Sequence, residues 1–190
     1  RLEGGAFYLG TDELEGKVKD TIAHYLDYLG FDRKDLILSG LSMGTFPALY
    51  YGASFEPHAI IVGKPLANLG TIASRGRLAS PRVFPTSFDV LKHQTGGVSL
   101  NHMLELDQRF WKVFKQANFS KTTFGLSYMK DEEMDPQAYE KLVTYLCNTG
   151  AKILSKGTAG RHNDDTDTNI AWFLHFYRMV LSSGFGREKE

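Results

Sequence analysis

A Gly-x-Ser-x-Gly pattern occupies residues 40–44 of this 190-residue chain, within the stretch LILSGLSMGTFPALYYG. In this pattern the serine stands on a sharp turn between a strand and a helix, which exposes its hydroxyl as a nucleophile. Both flanks are present, because KDLILSG predicts a buried strand and a helix is predicted from about Met43 to Tyr51. The Met43 backbone N–H is expected to stabilise a developing oxyanion. The pattern therefore predicts a nucleophile at Ser42, with an inert Gly/Ser turn as the alternative.

A serine nucleophile needs a base, and His162 is the best placed of the six histidines. In α/β-hydrolase arrangements the chain order is serine, carboxylate, histidine. His162 lies in SKGTAGRHNDD, a glycine-containing loop between a predicted strand and a predicted helix. The other five lie within helices, at the start of a strand or ahead of the carboxylates: His24, His58, His93, His102 and His175. We therefore predict His162 as the base, with a solvent-exposed loop histidine as the alternative.

The carboxylate that orients the histidine is expected in the segment YMKDEEMDP, just after a predicted strand. A carboxylate there would orient the imidazole and stabilise its cationic form without itself taking the proton. The segment contains four acidic residues, and their spacing does not choose among Asp131, Glu132, Glu133 and Asp135.

The elements that must position these residues alternate between short apolar strands, such as HAIIVGKP, and amphipathic helices. This alternation predicts a mostly parallel sheet with helices on both faces, the α/β class. Residues 66–97 are rich in Gly, Ser, Pro and Arg and are predicted to form an irregular, lid-like excursion. Four residues of that excursion are candidate substrate contacts, with scattered surface charges as the alternative: Arg75, Arg77, Arg82 and His93.

Composition is that of a globular domain with balanced charge. Lys+Arg and Asp+Glu each number 22, so the basic footprint of a nucleic-acid-binding protein is absent. No apolar run approaches the roughly 18–20 residues of a membrane span, and no signal peptide is visible. The single cysteine, Cys147, cannot form an internal disulfide, in agreement with a reducing compartment. We expect one domain over residues 1–190, and, because the chain opens with Arg1, a piece of a longer protein that lacks its N-terminal part.

An acidic run beside His162, HNDDTDTN, loosely matches the opening of a calcium-binding loop. Such a loop needs glycine at its sixth position and glutamate at its twelfth. Those positions hold Ile170 and Phe176 here. We therefore predict no metal and no bound cofactor, and interpret the acidic residues as the start of a helix.

Three segments together resemble a known family: GLSMGTF, KDEEMDP and, most specifically, SKGTAGRHNDDTDTNIAWF. They are similar to the α/β-hydrolase-like region of the second accessory Sec system protein of Gram-positive bacteria, over about Leu36 to Phe173. The resemblance implies an O-acetyltransferase that acts on N-acetylglucosamine of serine-rich repeat adhesins and takes part in their export. It also implies a triad of Ser42, Glu132 and His162, and it alone favours Glu132 over its acidic neighbours.

The resemblance further implies partners and a location, and acetyl transfer requires an acetyl donor, which the resemblance does not identify. The partners would be other accessory Sec proteins, the accessory SecA-type translocase and the glycosylated adhesin, in the cytoplasm and alongside the membrane-bound export machinery. Two other functions stay open: a carboxylesterase or deacetylase with the same triad, and a non-enzymatic scaffold for the accessory Sec complex. The second oxyanion donor of an α/β-hydrolase lies upstream of the nucleophile strand, where this chain offers only EGGAF.

Overall fold

The sheet consists of parallel strands in the order β1-β2-β3-β4, in a computed structural model that describes residues 7–78, 87–164 and 166–183. Its four strands, within those ranges, are β1 (Ile37–Leu41), β2 (Ala59–Gly63), β3 (Thr123–Met129) and β4 (Lys152–Thr158). The register pairs Leu41 with Gly63 and Gly63 with Ser127. The carboxyl ends of β1, β2 and β3 therefore lie side by side at one edge of the sheet, where open α/β sheets place their sites.

Helices cover both faces of this sheet, as the alternation of elements predicts. They are α1 (Asp12–Leu29), α2 (Thr45–Phe55), α3 (Leu69–Leu78), α4 (Ser87–Thr95), α5 (Leu100–Phe114), α6 (Met134–Leu146) and α7 (Thr166–Ser182). No described helix is both long enough and apolar enough to span a bilayer.

Strand β2 shows how the core divides between the two faces. Ala59 and Ile61 pack against Phe176 and Val180 of α7. Ile60 and Val62 face the opposite way, into the cluster built by α2, α5 and α6. Every residue of β2 is buried, which is why its sequence is continuously apolar rather than alternating. The strand is thus a rigid central support for the residues at its carboxyl end.

The ends of α1 agree with local sequence signals. The Thr11 hydroxyl accepts a hydrogen bond from the Leu14 backbone N–H at the start of the helix. At the other end Gly30 has a φ of +70°, and its N–H donates to the Asp27 and Leu26 carbonyls. A polar N-cap and a left-handed C-terminal glycine are the usual ways to satisfy the free backbone groups of helix ends.

The prediction of an irregular excursion over residues 66–97 is wrong for most of the residues described there, which form α3 and α4. For α3 the physical reason is a cap from a distant part of the chain. Asp107 of α5 accepts hydrogen bonds from the backbone N–H groups of Gly70 (2.7 Å) and Thr71 (3.3 Å) and from the Thr71 hydroxyl (2.6 Å). Burial raises the pKa of the Asp107 carboxyl, and the Thr71 and Gly70 donors oppose that rise. A carboxylate in this place stabilises the start of α3.

Candidate active site

Ser42 stands in the strand–turn–helix context that its motif predicts, directly after β1 and ahead of α2. Its φ is +50°, in the left-handed region. A non-glycine residue held there costs about 1–3 kcal/mol and persists only where its surroundings enforce it. The turn is tight, since a Cβ on Gly40 would lie 2.0 Å from the Gly44 carbonyl oxygen. The glycine at position 40 is therefore what allows β1 to pass so close to the start of α2.

Thr45 braces the turn from inside. Its buried hydroxyl donates to the Ser42 carbonyl at 2.7 Å and accepts from the Leu66 backbone N–H at 2.8 Å. The contact with Leu66 ties the nucleophile turn to the segment that follows β2. Sequence reasoning missed this residue, although a threonine at the start of a helix is a common signal for such local hydrogen bonds.

The structure brings Ser42 and His162 together across the edge of the sheet. The Ser42 hydroxyl lies 2.7 Å from His162 Nε2. On the other side of the ring, His162 Nδ1 lies 2.6 Å from Asp135 Oδ1. His162 is 6% exposed and Asp135 is fully buried. With its proton on Nδ1 the imidazole donates to the carboxylate, and Nε2 is left to accept from the serine hydroxyl.

The acid beside His162 is Asp135, so the assignment of Glu132 to that place is corrected. Glu132 Oε1 accepts instead from the backbone N–H of its neighbour Glu133, at 3.1 Å. Asp135 lies in the first turn of α6, and its second carboxylate oxygen accepts from the Met129 N–H at 3.2 Å. Residues 130–133 connect the end of β3 to the start of α6. The carboxylate that lies beside His162 Nδ1 comes after this connection, in the first turn of the helix. The Asp-Pro pair at 135–136 was a usable signal, because acids and prolines are both favoured in the first helical turn.

Asp131, another of the acidic candidates, anchors the loop that carries the histidine. Its carboxylate accepts from the Gly160 N–H at 2.7 Å, and its own N–H donates to the Gly160 carbonyl at 3.1 Å. Gly160 has a φ of +105°, a conformation that favours glycine. The segment after β3 therefore both orients the His162 ring and holds the backbone near it.

The remaining predicted site residues are not brought into the triad. Met43 follows Ser42 at the start of the turn into α2, where backbone N–H groups lack intrahelical acceptors, so its oxyanion role stays a prediction. Arg75 and Arg77 belong to α3, and His93 lies exposed in the last turn of α4. Arg82 lies outside the described residues. The substrate contacts predicted for these four residues also stay predictions.

Proteins of the accessory Sec system are similar to this chain over its whole length. An accessory Sec system protein of Streptococcus gordonii is 55% identical over 189 residues, which cover 100% of this chain and 37% of that protein. One from Staphylococcus aureus (strain NCTC 8325 / PS 47) is 45% identical over 187 residues, covering 98% of this chain and 36% of that protein. The chain thus spans little more than a third of the length of these relatives.

Solved structures give the same family and a wider fold group. The Glycosylation Associate Protein (Gap123) complex from Streptococcus agalactiae matches with a TM-score of 0.89 and 45% identity, over 97% of this chain and 36% of that chain. The capsule O-acetyltransferase of Neisseria meningitidis serogroup A matches at 0.70 and 20% identity, over 93% and 68%. An inhibited esterase B from Lactobacillus rhamnosis matches at 0.51 and 15% identity, over 88% and 61%. The last two likenesses show the α/β-hydrolase-like fold.

The family model described as the accessory Sec system GspB-transporter matches residues 1–187 of the chain. Together with relatives at 55% and 45% identity, this match confirms the resemblance seen in the sequence: the chain belongs to the accessory Sec system GspB-transporter family.

Proposed function

We propose that this chain performs serine-dependent acyl transfer, with O-acetylation of N-acetylglucosamine on a serine-rich repeat glycoprotein as its preferred reaction. The observation that carries the proposal is the continuous path of contacts from Ser42 Oγ through the His162 ring to the buried Asp135 carboxylate, at 2.7 and 2.6 Å. The fold likeness to a capsule O-acetyltransferase and the family of the chain support the choice of acetyl transfer.

In the first half-reaction Ser42 takes the acetyl group from its donor. His162 Nε2 removes the hydroxyl proton while Oγ bonds to the donor's carbonyl carbon, and the carbonyl electrons move onto oxygen. The Met43 N–H stabilises this oxyanion. When the tetrahedral intermediate collapses, the bond to the donor's leaving group breaks and the leaving group takes the proton from Nε2. The result is acetylated Ser42 and a neutral His162.

In the second half-reaction a sugar hydroxyl replaces the leaving group. It gives its proton to His162 Nε2 as its oxygen bonds to the acetyl carbon, and Ser42 Oγ then leaves and recovers that proton. The products are the O-acetylated sugar and free Ser42. If water enters instead, the products are acetate and free Ser42, which is the esterase alternative. Binding of the acceptor and exclusion of water decide between the two.

Asp135 serves both halves in the same way. Each half passes through a protonated imidazole, and a carboxylate against Nδ1 stabilises that cation and fixes the ring orientation. Because Asp135 is fully buried, its field is weakly screened by solvent.

Binding to export partners is a second component of the proposal. Helix α1 and the residues after it expose large apolar side chains to solvent: Tyr25, Tyr28, Leu29 and Phe31. A cluster of exposed apolar residues on a globular domain commonly marks an interface. We propose that this surface contacts other accessory Sec components, with the SecA-type translocase and the adhesin as further partners, in the cytoplasm.

Substitution Ser42→Ala in the full-length protein tests the chemistry separately from assembly. Removing the nucleophile should abolish acetylation of the glycosylated adhesin, measured by mass spectrometry of its glycans, while co-purification of the accessory Sec proteins continues. Ser120→Ala, at an exposed loop serine, is the matched control and should acetylate normally. Persistent acetylation by the Ser42→Ala protein would refute the nucleophile assignment.

A further inference from the structure

Lys64 is a buried lysine beside the triad that the proposed reaction does not use. It directly follows β2, its φ is +57° and it is 5% exposed. Lysines are almost never this buried unless their charge is paired, and a left-handed conformation is unfavourable for a residue with a side chain. A buried lysine in a left-handed conformation next to the candidate site therefore calls for a structural reason.

The contacts of Lys64 link three parts of the site. Its backbone N–H donates to the Ser127 carbonyl of β3 at 2.7 Å, which fixes where the side chain begins. Its ammonium donates to the backbone carbonyl of His162, a residue 98 positions later in the chain. A group rooted on the two central strands therefore reaches the backbone of the base itself.

We propose that Lys64 is a positioning residue that holds the His162 backbone in place while Ser42 is acylated. The inference rests on the proposed acyl-transfer function. Once Ser42 Oγ is esterified it has no proton to donate, so the 2.7 Å contact with Nε2 is lost in mid-cycle. The contact between Lys64 and the His162 carbonyl involves no reacting atom and persists through both half-reactions.

The loop that carries His162 is also held by Asp131, at a different residue from the one that Lys64 contacts. Asp131 holds the loop at Gly160, two positions before His162. At Arg161, between them, the N–H donates to the Asp164 carboxylate at 2.9 Å and the carbonyl accepts from the Asp164 N–H at 3.0 Å, so these two contacts stay within the loop. The Lys64 contact at the His162 carbonyl instead ties the loop to the central strands of the sheet, at the residue that carries the ring. The His162 ring then stays in the position in which it contacts Ser42, and from there its Nε2 can accept the proton of the acceptor hydroxyl.

Substitution Lys64→Met in the full-length protein tests this role, because methionine fills similar space without a donor. A displacement of about 1 Å at a catalytic group can lower rate by about 10²-fold. We expect kcat for hydrolysis of an activated acetyl ester to fall about 10–100-fold with KM within about 3-fold, and the thermal unfolding midpoint to stay close to that of the wild type. Lys121→Met, at an exposed lysine, is the matched control and should change none of these quantities.

A spectroscopic readout makes the test independent of turnover. The His162 Nδ1 proton shared with Asp135 should give a low-field proton resonance, identified by its loss in an Asp135→Asn protein. We expect this resonance to broaden or vanish in Lys64→Met and to return in Lys64→Arg, which restores a cationic donor, together with a partial recovery of kcat.

The outcomes separate the two proposals. A wild-type protein with no hydrolysis and no labelling of Ser42 by a fluorophosphonate refutes the proposed function, and the resonance still decides the role of Lys64. Unchanged resonance, kcat and labelling rate in Lys64→Met overturn the positioning role. A loss of activity that a partial loss of folded protein fully accounts for, with the resonance of the remaining folded protein unchanged, also overturns it, since the contact would then be structural only. If Lys64→Met does not fold, a folded Lys64→Arg protein that lacks the resonance is the contradicting result.

Discussion

Ser42 and His162 meet at 2.7 Å, yet the two are held in place over very different lengths of chain. The Ser42 turn is shaped by Gly40 and by Thr45, whose hydroxyl bond to the Ser42 carbonyl spans three residues. His162 depends on Asp135, 27 residues away, and on Lys64, 98 residues away. The turn of Ser42 is therefore shaped mainly within a short segment, whereas the position of the His162 ring depends mainly on contacts that form when the sheet assembles.

This difference predicts that substitutions near Ser42 and substitutions near His162 lower activity for different reasons. Changes in the turn of Ser42 should act through strain and folding, because its geometry is enforced by close backbone contact. Changes around His162 should act through orientation, because the same loop can fold with its ring displaced. The comparison can be tested from the residues that hold each half.

The largest effect is expected at the buried acid. Asp135→Asn leaves the shape of the site but removes the charge that stabilises the protonated imidazole and selects its tautomer, and a loss of about 10³–10⁴ in kcat is expected. Steady-state kinetics with an activated acetyl ester measure it. Glu132→Gln is the matched control, and its kcat should stay within about 3-fold of the wild type. The reverse ranking of the two variants would restore Glu132 as the acid.

That pair of residues also shows how far sequence alone can reach. Ser42 was recognisable because its motif is local, and His162 because it follows the acidic segment in the expected chain order on a glycine-containing loop. Choosing Asp135 over Glu132 required knowing at which residue α6 begins. Side chains three residues apart leave a turn in different directions, so only the exact start of the helix decides which carboxylate faces His162. The family likeness favoured Glu132, and the structure places it elsewhere.

The same reason explains the other differences. The parallel sheet and its covering helices follow from apolar strands such as β2, and that prediction is confirmed. Helix α3 was missed because it is capped by Asp107, 37 residues from Gly70, and no local signal competes with the glycine and arginine content of that stretch. Lys64 gave no signal in the sequence, because its ammonium binds a backbone carbonyl, that of His162, whose position only the fold defines.

The next effect concerns the turn of Ser42 and should appear in stability. In Gly40→Ala the new Cβ would lie 2.0 Å from the Gly44 carbonyl oxygen, so the backbone must shift, and a loss of about 2–3 kcal/mol in the free energy of unfolding is expected. Urea denaturation measures this. Gly44→Ala is the matched control: its Cβ would meet no atom within 4 Å and its φ is −68°, so the unfolding free energy should change by no more than about 0.5 kcal/mol. Equal losses in both would show that helix and turn propensity, rather than the close approach at position 40, sets the geometry.

The smallest effect is expected at the exposed anchor of the His162 loop. Asp131→Ala removes the acceptor of the Gly160 N–H but leaves the backbone bond from residue 131 to the Gly160 carbonyl. Because one exposed hydrogen bond contributes about 0.5–1.5 kcal/mol, and Lys64 still holds the His162 carbonyl, we expect kcat to fall only about 3–10-fold. Combining Asp131→Ala with Lys64→Met should lower kcat by more than the product of the separate losses, since each anchor limits the motion that the other leaves open. Purely multiplicative losses in that double-mutant cycle would mean that the two anchors act on different motions, and that the His162 loop is held more locally than its long-range contacts indicate.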